Sequence, residues 1–256
     1  MIRVGLTMVC TVLVSVCAFA QGPRPRMGRP SGDFALIRGE FGAANKVVQG
    51  APYSAKAVTQ FTQTMADGNH IQRITTASIV RDSQGRTRTE RSLEAIGALS
   101  ATGRATPTVV IFDPVAGMSF VLNFSNKTVR QEAIHTPPGG PEGRLRQPNL
   151  AVASKTEDLG TQIVQGVSAQ GKRVTRTIPA GQDGNERAID IVTETWYSPE
   201  LQVVVMSKSS DPRYGETSYQ LTNISRAEPD PALFTVPSDY TIQQRPTRPR
   251  GPAPAQ

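Results

Sequence analysis

Cysteine is nearly absent: the 256 residues hold two, Cys10 and Cys17. Both fall in a stretch that reads as an export signal, with Arg3 as its positive start, Val4 to Val16 as its apolar run and Ala18-Phe19-Ala20 as a small-x-small cleavage site. Residues 1–20 are therefore expected to be a cleaved signal peptide. The remaining 236 residues have no thiol, which excludes disulfides, cysteine nucleophiles and cysteine-bound metals. Acylation at Cys17 would need a small residue before it, and Val16 is β-branched. Long apolar runs are missing as well. The signal's own run is shorter than the roughly 20 residues a membrane-spanning helix needs. No transmembrane segment is expected after signal cleavage, and the expected location is periplasmic or secreted.

Acidic residues are missing from both ends. Arg24, Arg26 and Arg29 sit in a Pro/Gly-rich N-terminal tail, and Arg245, Arg248 and Arg250 in a Pro-rich C-terminal one. Losing Arg3 takes the formal charge from +7 to +6, and those six arginines account for all of it, so residues 32–243 are neutral. The tails cannot bury enough apolar surface to fold. They read as solubilising ends or weak tethers to an anionic surface. Nucleic acid is not an expected partner, because the aromatics are not interleaved with arginines.

Catalytic signatures are scarce too. The two histidines, His70 and His135, have no acidic cluster of ligand spacing beside them, so no metal and no cofactor is expected. No Gly-x-Ser-x-Gly elbow occurs. Gly166 to Lys172 has most of the spacing of a phosphate-binding loop, but Arg173 replaces the magnesium-binding hydroxyl and Val174, Thr175 and Ile178 continue as a strand. This stretch reads as a hairpin turn. Asp113-Pro114, Asp211-Pro212 and Asp230-Pro231 read as turn starters. No catalytic residue is assigned, and the chain is expected not to be an enzyme; a hydrolase with spatially assembled residues is the weakest of the readings.

What is abundant is the strand signal. Strands are expected at Tyr53–Met65, His70–Arg81, Arg86–Leu93, Thr108–Phe112, Met118–Phe124, Thr128–Ile134, Thr161–Val167, Arg173–Ile178, Ala188–Tyr197, Gln202–Lys208 and Glu216–Ile224. The third, polar on both faces, reads as an edge strand or an exposed wall. A short helix is expected around Leu150–Leu159, capped by Gly160, after a Pro/Gly-rich excursion that begins at Thr136. The expected fold is all-β with minor α: about eleven strands in a strongly curled antiparallel sheet forming an unclosed half-barrel. Its span is 51–243, between an N-terminal tail at 21–50 and a C-terminal tail at 244–256.

A curled sheet has a concave face, where an apolar ligand would sit. Phe112, Met118, Phe120, Leu122 and Trp196 are the expected lining, although a cavity wall and a filled core use the same residue types.

Several stretches carry a resemblance. Trp196-Tyr197-Ser198-Pro199-Glu200-Leu201, Tyr219 to Ile224 and above all Pro231-Ala232-Leu233-Phe234-Thr235-Val236-Pro237-Ser238-Asp239-Tyr240 look like the secreted bacterial domains of the lipoprotein-carrier (LolA/LolB-like) superfamily. Leu159-Gly160 with Ile163 and Gly166, and Phe112-Asp113-Pro114 before Phe120 to Asn123, fit the same pattern. The resemblance implies an unclosed antiparallel barrel whose concave side holds acyl chains or another apolar guest. The carriers open with amphipathic helices, whereas residues 32–50 offer at best a short one. The partners expected are therefore a lipid or acyl-chain ligand, or an envelope protein if the cavity is filled by its own side chains.

Overall fold

The computed structural model describes residues 47–92, 107–134 and 153–244. The export signal, most of the N-terminal tail, the 94–106 loop, most of the Pro/Gly-rich excursion, His135 and residues 245–256 lie outside them. The described residues form one sheet of twelve strands: β1 Tyr53–Thr64, β2 His70–Arg81, β3 Thr87–Ser92, β4 Thr108–Asp113, β5 Met118–Asn123, β6 Thr128–Ala133, β7 Ala153–Val164, β8 Val167–Ile178, β9 Ile189–Ser198, β10 Val203–Asp211, β11 Gly215–Ser225 and β12 Thr241–Gln244. Their order across the sheet is β12-β6-β5-β4-β3-β2-β1-β11-β10-β9-β8-β7, so the half-barrel is curled but not closed. Consecutive strands pair antiparallel within β1–β6 and within β7–β11. β1 and β11 add a long-range antiparallel pair at the centre of the sheet.

Most of the expected strands appear within a few residues of their expected ends. Four readings need correction. Of the helix expected at Leu150–Leu159, residues 153–159 are instead the start of strand β7, and residues 150–152 lie outside the described residues. Gly160 has the positive φ of a helix cap, +76°, but uses it at a β-bulge opposite Gly171, where its N–H donates to Asp158 Oδ1 at 2.7 Å. The hairpin turn expected over Gly166 to Lys172 lies at its head, at Gln165-Gly166, where both residues have positive φ, and the rest of that stretch is already strand β8. Strand β3 is not an edge, because it lies between β2 and β4. Its polar residues are absorbed locally: Arg88 pairs with Glu90 at 3.1 Å and also donates to the Leu233 carbonyl. The twelfth strand was not anticipated; it pairs parallel with β6.

That parallel pairing follows from the path of the chain. β11 leaves the middle of the sheet, and residues 226–240 cross to the β6 edge, the kind of crossover a parallel pair needs. This strap is tied at several points. Glu228 accepts from the Ser83 N–H and hydroxyl at 3.0 and 3.1 Å. Asp230 accepts from the Ala232 N–H and starts a 3-10 turn at Pro231–Phe234. Lys127 meets Asp239 at 2.9 Å, and the ring of Tyr240 meets that of Phe124 edge-on at 6.0 Å. The closing motif is thus a cover for the sheet as well as its ending.

Two apolar clusters hold the sheet. One gathers Tyr53, Ala55, Ala57 and Leu221 with Val167, Leu201 and Val205. The other gathers Val80, Val109, Ile111, Leu122 and Val129 beneath Phe234 of the strap. Alternation explains both. In β8, Val167, Ala169 and Gly171 are buried and Ser168, Gln170 and Lys172 exposed.

Candidate functional site

Residues directly opposite one another in paired strands point to the same face of the sheet. The pairs Ile79–Thr89, Thr89–Val110 and Val110–Val121 place Val110 and Val121 on the face that carries Ala55, Ala57 and Phe61. The pairs Val80–Arg88, Arg88–Ile111 and Ile111–Phe120 place Phe120 on the other face, with Val109, Leu122 and the strap. No described helix lies over the first, which is called the open face below.

The five expected lining residues divide between the two faces. Phe112 points to the open face, opposite Thr87 and Ser119. Met118, Phe120 and Leu122 point to the strap face; Leu122 is buried in the Phe234 cluster and Phe120 packs against it. Trp196 also registers to the strap side, through Met206, Gln220 and Val58, but far along the sheet against the other cluster. The structure therefore brings Phe120 and Leu122 together and leaves Phe112 and Trp196 apart from them.

Trp196 has a specific seat. A Cβ built on Gly171 would lie 2.6 Å from two carbons at the far edge of the Trp196 ring. The indole lies flat on a glycine. Gly171→Ala is expected to swing the ring outward, at a cost of about 1–2 kcal/mol. A red-shifted fluorescence of the chain's one tryptophan, with a lowered unfolding midpoint, checks this.

On the open face, sequence reasoning passed over Phe61, Val110 and Val121. All three are half-buried, as is Phe112. The signal was present in Val109-Val110-Ile111-Phe112, four apolar residues without alternation, the mark of a strand that meets apolar surroundings on both faces. Further along this face the side chains turn to hydroxyls. Ser207 of β10 stands opposite Thr195 and Tyr219, and Tyr219 opposite Thr59, which faces Thr75. In the next row, Thr193 and Ser209 approach within 3.3 Å. Ser207 is 4% exposed and its Oγ is buried without a hydrogen-bond partner among the described residues.

One end of the open face is closed by Arg81. Its guanidinium donates to the Ala51 carbonyl at 3.0 and 2.7 Å and to the Leu201 carbonyl, and stacks 4.7 Å from the centre of the Tyr53 ring. Burial lowers its pKa from the ordinary arginine value, and the electrostatic influence of Tyr53 and Tyr197 partly offsets that. At the opposite end, Arg213 is clasped by Asp211 and Asp183 at 2.8 and 2.7 Å. Burial opposes ionisation of Asp211, but the hydrogen bonds and charge of Arg213 outweigh it and hold the carboxyl below its usual range. Among the described residues no three His, Asp or Glu side chains gather as a metal-binding group, and no helix is long and apolar enough to cross a membrane.

No protein-family model and no curated protein matches the chain. Solved structures similar to it include an uncharacterized conserved protein from Thermus thermophilus, at 10% identity and a TM-score of 0.42, covering 84% of this chain and 99% of that one. The Pseudomonas aeruginosa MucA/MucB complex is similar at 12% identity and a TM-score of 0.43 over 83% of this chain, which spans 63% of that structure's chain. A LolA superfamily protein from Nitrosomonas europaea is similar at 7% identity and a TM-score of 0.30, over 76% and 95% of the two chains. At such identities and scores, function is read from this chain's own residues.

Proposed function

We propose that the protein is a non-catalytic binding protein, secreted or periplasmic, that holds an apolar, lipid-like ligand on the open, concave face of its half-barrel. The observation that carries this reading is the contrast between the two faces. In β4 and β5, Val109, Ile111 and Leu122 of the strap face are buried with Phe234, whereas Val110, Phe112 and Val121 of the open face, like Phe61 of β1, remain half-buried with no described helix above them. Half-buried apolar side chains from β1, β4 and β5 on one face suit a guest that brings its own apolar surface.

Native mass spectrometry and lipid extraction of the purified mature protein, with a fluorescent fatty-acid probe, test this. Bound lipid or micromolar probe binding is the expected result. Val121→Glu should weaken probe binding at least tenfold, because a carboxylate would have to enter an apolar contact. Phe124→Glu, at an exposed residue after β5 that meets Tyr240 of the strap, should leave it unchanged. A ligand-free protein that binds no probe would overturn the proposal.

A second reading, an envelope protein-interaction module with a self-filled cavity, draws on Leu122 buried beneath Phe234 with Phe120 packed against the same cluster. A single dominant protein captured by crosslinking in the native envelope, without lipid, would favour it.

A further inference from the structure

The open face has an uncharged polar stretch with an unanswered hydrogen-bonding group, and this narrows the class of ligand. Buried hydroxyls normally find a partner, because stripping one of water without replacement costs about 1–3 kcal/mol. Ser207 Oγ has no such partner among the described residues, although its neighbours across the strands, Thr195 and Tyr219, both carry hydroxyls. The row continues with Thr59 and Thr75. Among the described residues of this face, Lys172 is two strands from Ser207, exposed and opposite Asp158, while Arg73, over the Phe61 ring, and Arg91 lie three and four strands away. Arg81, the buried cation of this face, is committed to carbonyl oxygens. A carboxylate or phosphate held at Ser207 would therefore lack a compensating charge, which a buried anion requires. From Ser207 on β10 to Val110 on β4 is five strand spacings, about 24 Å along the sheet. That distance is within the reach of a long acyl chain.

We infer that the ligand is a neutral amphiphile, its chain lying along Phe61 and Val110 and an uncharged ester or alcohol oxygen hydrogen-bonded to Ser207. This rests on the lipid-binding reading above and specifies the chemistry of the guest. Ser207 serves as the polar anchor, and Phe61 and Val110 give the apolar track.

The test compares 1-monooleoylglycerol with oleate, two ligands of equal chain and different head, as displacers of a fluorescent probe from the mature protein and from Ser207→Ala. The wild type is expected to prefer monooleoylglycerol. S207A should lose about fivefold in affinity for it, the value of one neutral hydrogen bond, while its affinity for oleate stays the same. The thermal midpoint of S207A should hold or rise, since an orphaned hydroxyl has been removed. Equal binding of monooleoylglycerol by both proteins, or a wild-type preference for oleate, would overturn the inference and leave the lipid-binding reading in place. Failure of the wild type to bind either lipid would overturn both.

Discussion

Phe234→Ala is expected to lower the stability of the protein by about 3–4 kcal/mol, enough to drop the melting midpoint by roughly 10 °C in a domain of this size. Phe234 is 3% exposed and is the strap's fully buried contribution to a cluster whose other members all come from the sheet: Val80, Val109, Ile111, Leu122 and Val129. Its ring also lies 4.9 Å beneath the Arg86 guanidinium. Arg86 is itself held by the buried carboxylate of Asp82 at 2.6 Å, so the tight turn between β2 and β3 and the strap stabilise each other. Truncation removes all of these contacts and opens a cavity that a stiff sheet cannot collapse to fill. The strap's polar ties rank below it. The Lys127–Asp239 pair is solvent-screened, and Asp239→Asn should shift stability by far less than Phe234→Ala. Chemical denaturation of both variants checks the ranking. A loss under about 1 kcal/mol for Phe234→Ala, below the range for a buried aromatic, would show that the strap does not seal this face. Because Phe234 lies on the side away from the open face, probe binding by the folded fraction should not change, which separates closure of the sheet from occupation of the site.

The same residue shows how far the chain could be read without its fold. Alternation and turn chemistry located most of the strands because each is a local signal: a period of two, bounded by turn starters such as Asp113-Pro114 and Asp211-Pro212. The closing Phe-Thr-Val-Pro-Ser-Asp-Tyr was recognisable as a motif, but its position was not, because its partners in β2, β4, β5 and β6 lie about a hundred residues away or more. Strand β12 is four residues long and acquires its identity from the parallel pairing with β6, so no local pattern marks it. β7 was misread where Asp158 and Gly160 mimic a helix ending; the bulge they form serves a hairpin that the local sequence does not reveal. The site was less legible still. Phe112 and Phe120 look equivalent in sequence, each an aromatic in an apolar hairpin, yet the register turns them to opposite faces. Ser207 gave no signal at all, because an orphaned hydroxyl is a property of its surroundings.

Arg81→Met is expected to cost about 2–3 kcal/mol, although methionine fills nearly the same space and removes a buried charge. Replacing a buried ion by an apolar side chain is often tolerated when its partner is replaced too. Here the partners are backbone carbonyls, Ala51 O and Leu201 O, which no substitution at position 81 removes. Methionine leaves them without their donor, and it forfeits the cation–π contact with Tyr53. The two carbonyls belong to segments far apart in sequence, the lead-in to β1 and the loop between β9 and β10, so the guanidinium pins both to the end of β2. Arg81→Lys separates charge from geometry. A lysine keeps the charge but cannot present a planar fork to two acceptors, so it should recover less than half of the lost stability. Full recovery by lysine would show that charge alone matters at this position; equal loss in both variants would assign the effect to the fork. The hydrogen-exchange protection of Leu201 and its neighbours should fall in step with stability in both variants. Since Arg81 closes one end of the open face beside Phe112's row, a loosened loop there should also speed release of a bound probe, a change in off-rate that Phe234→Ala would not produce.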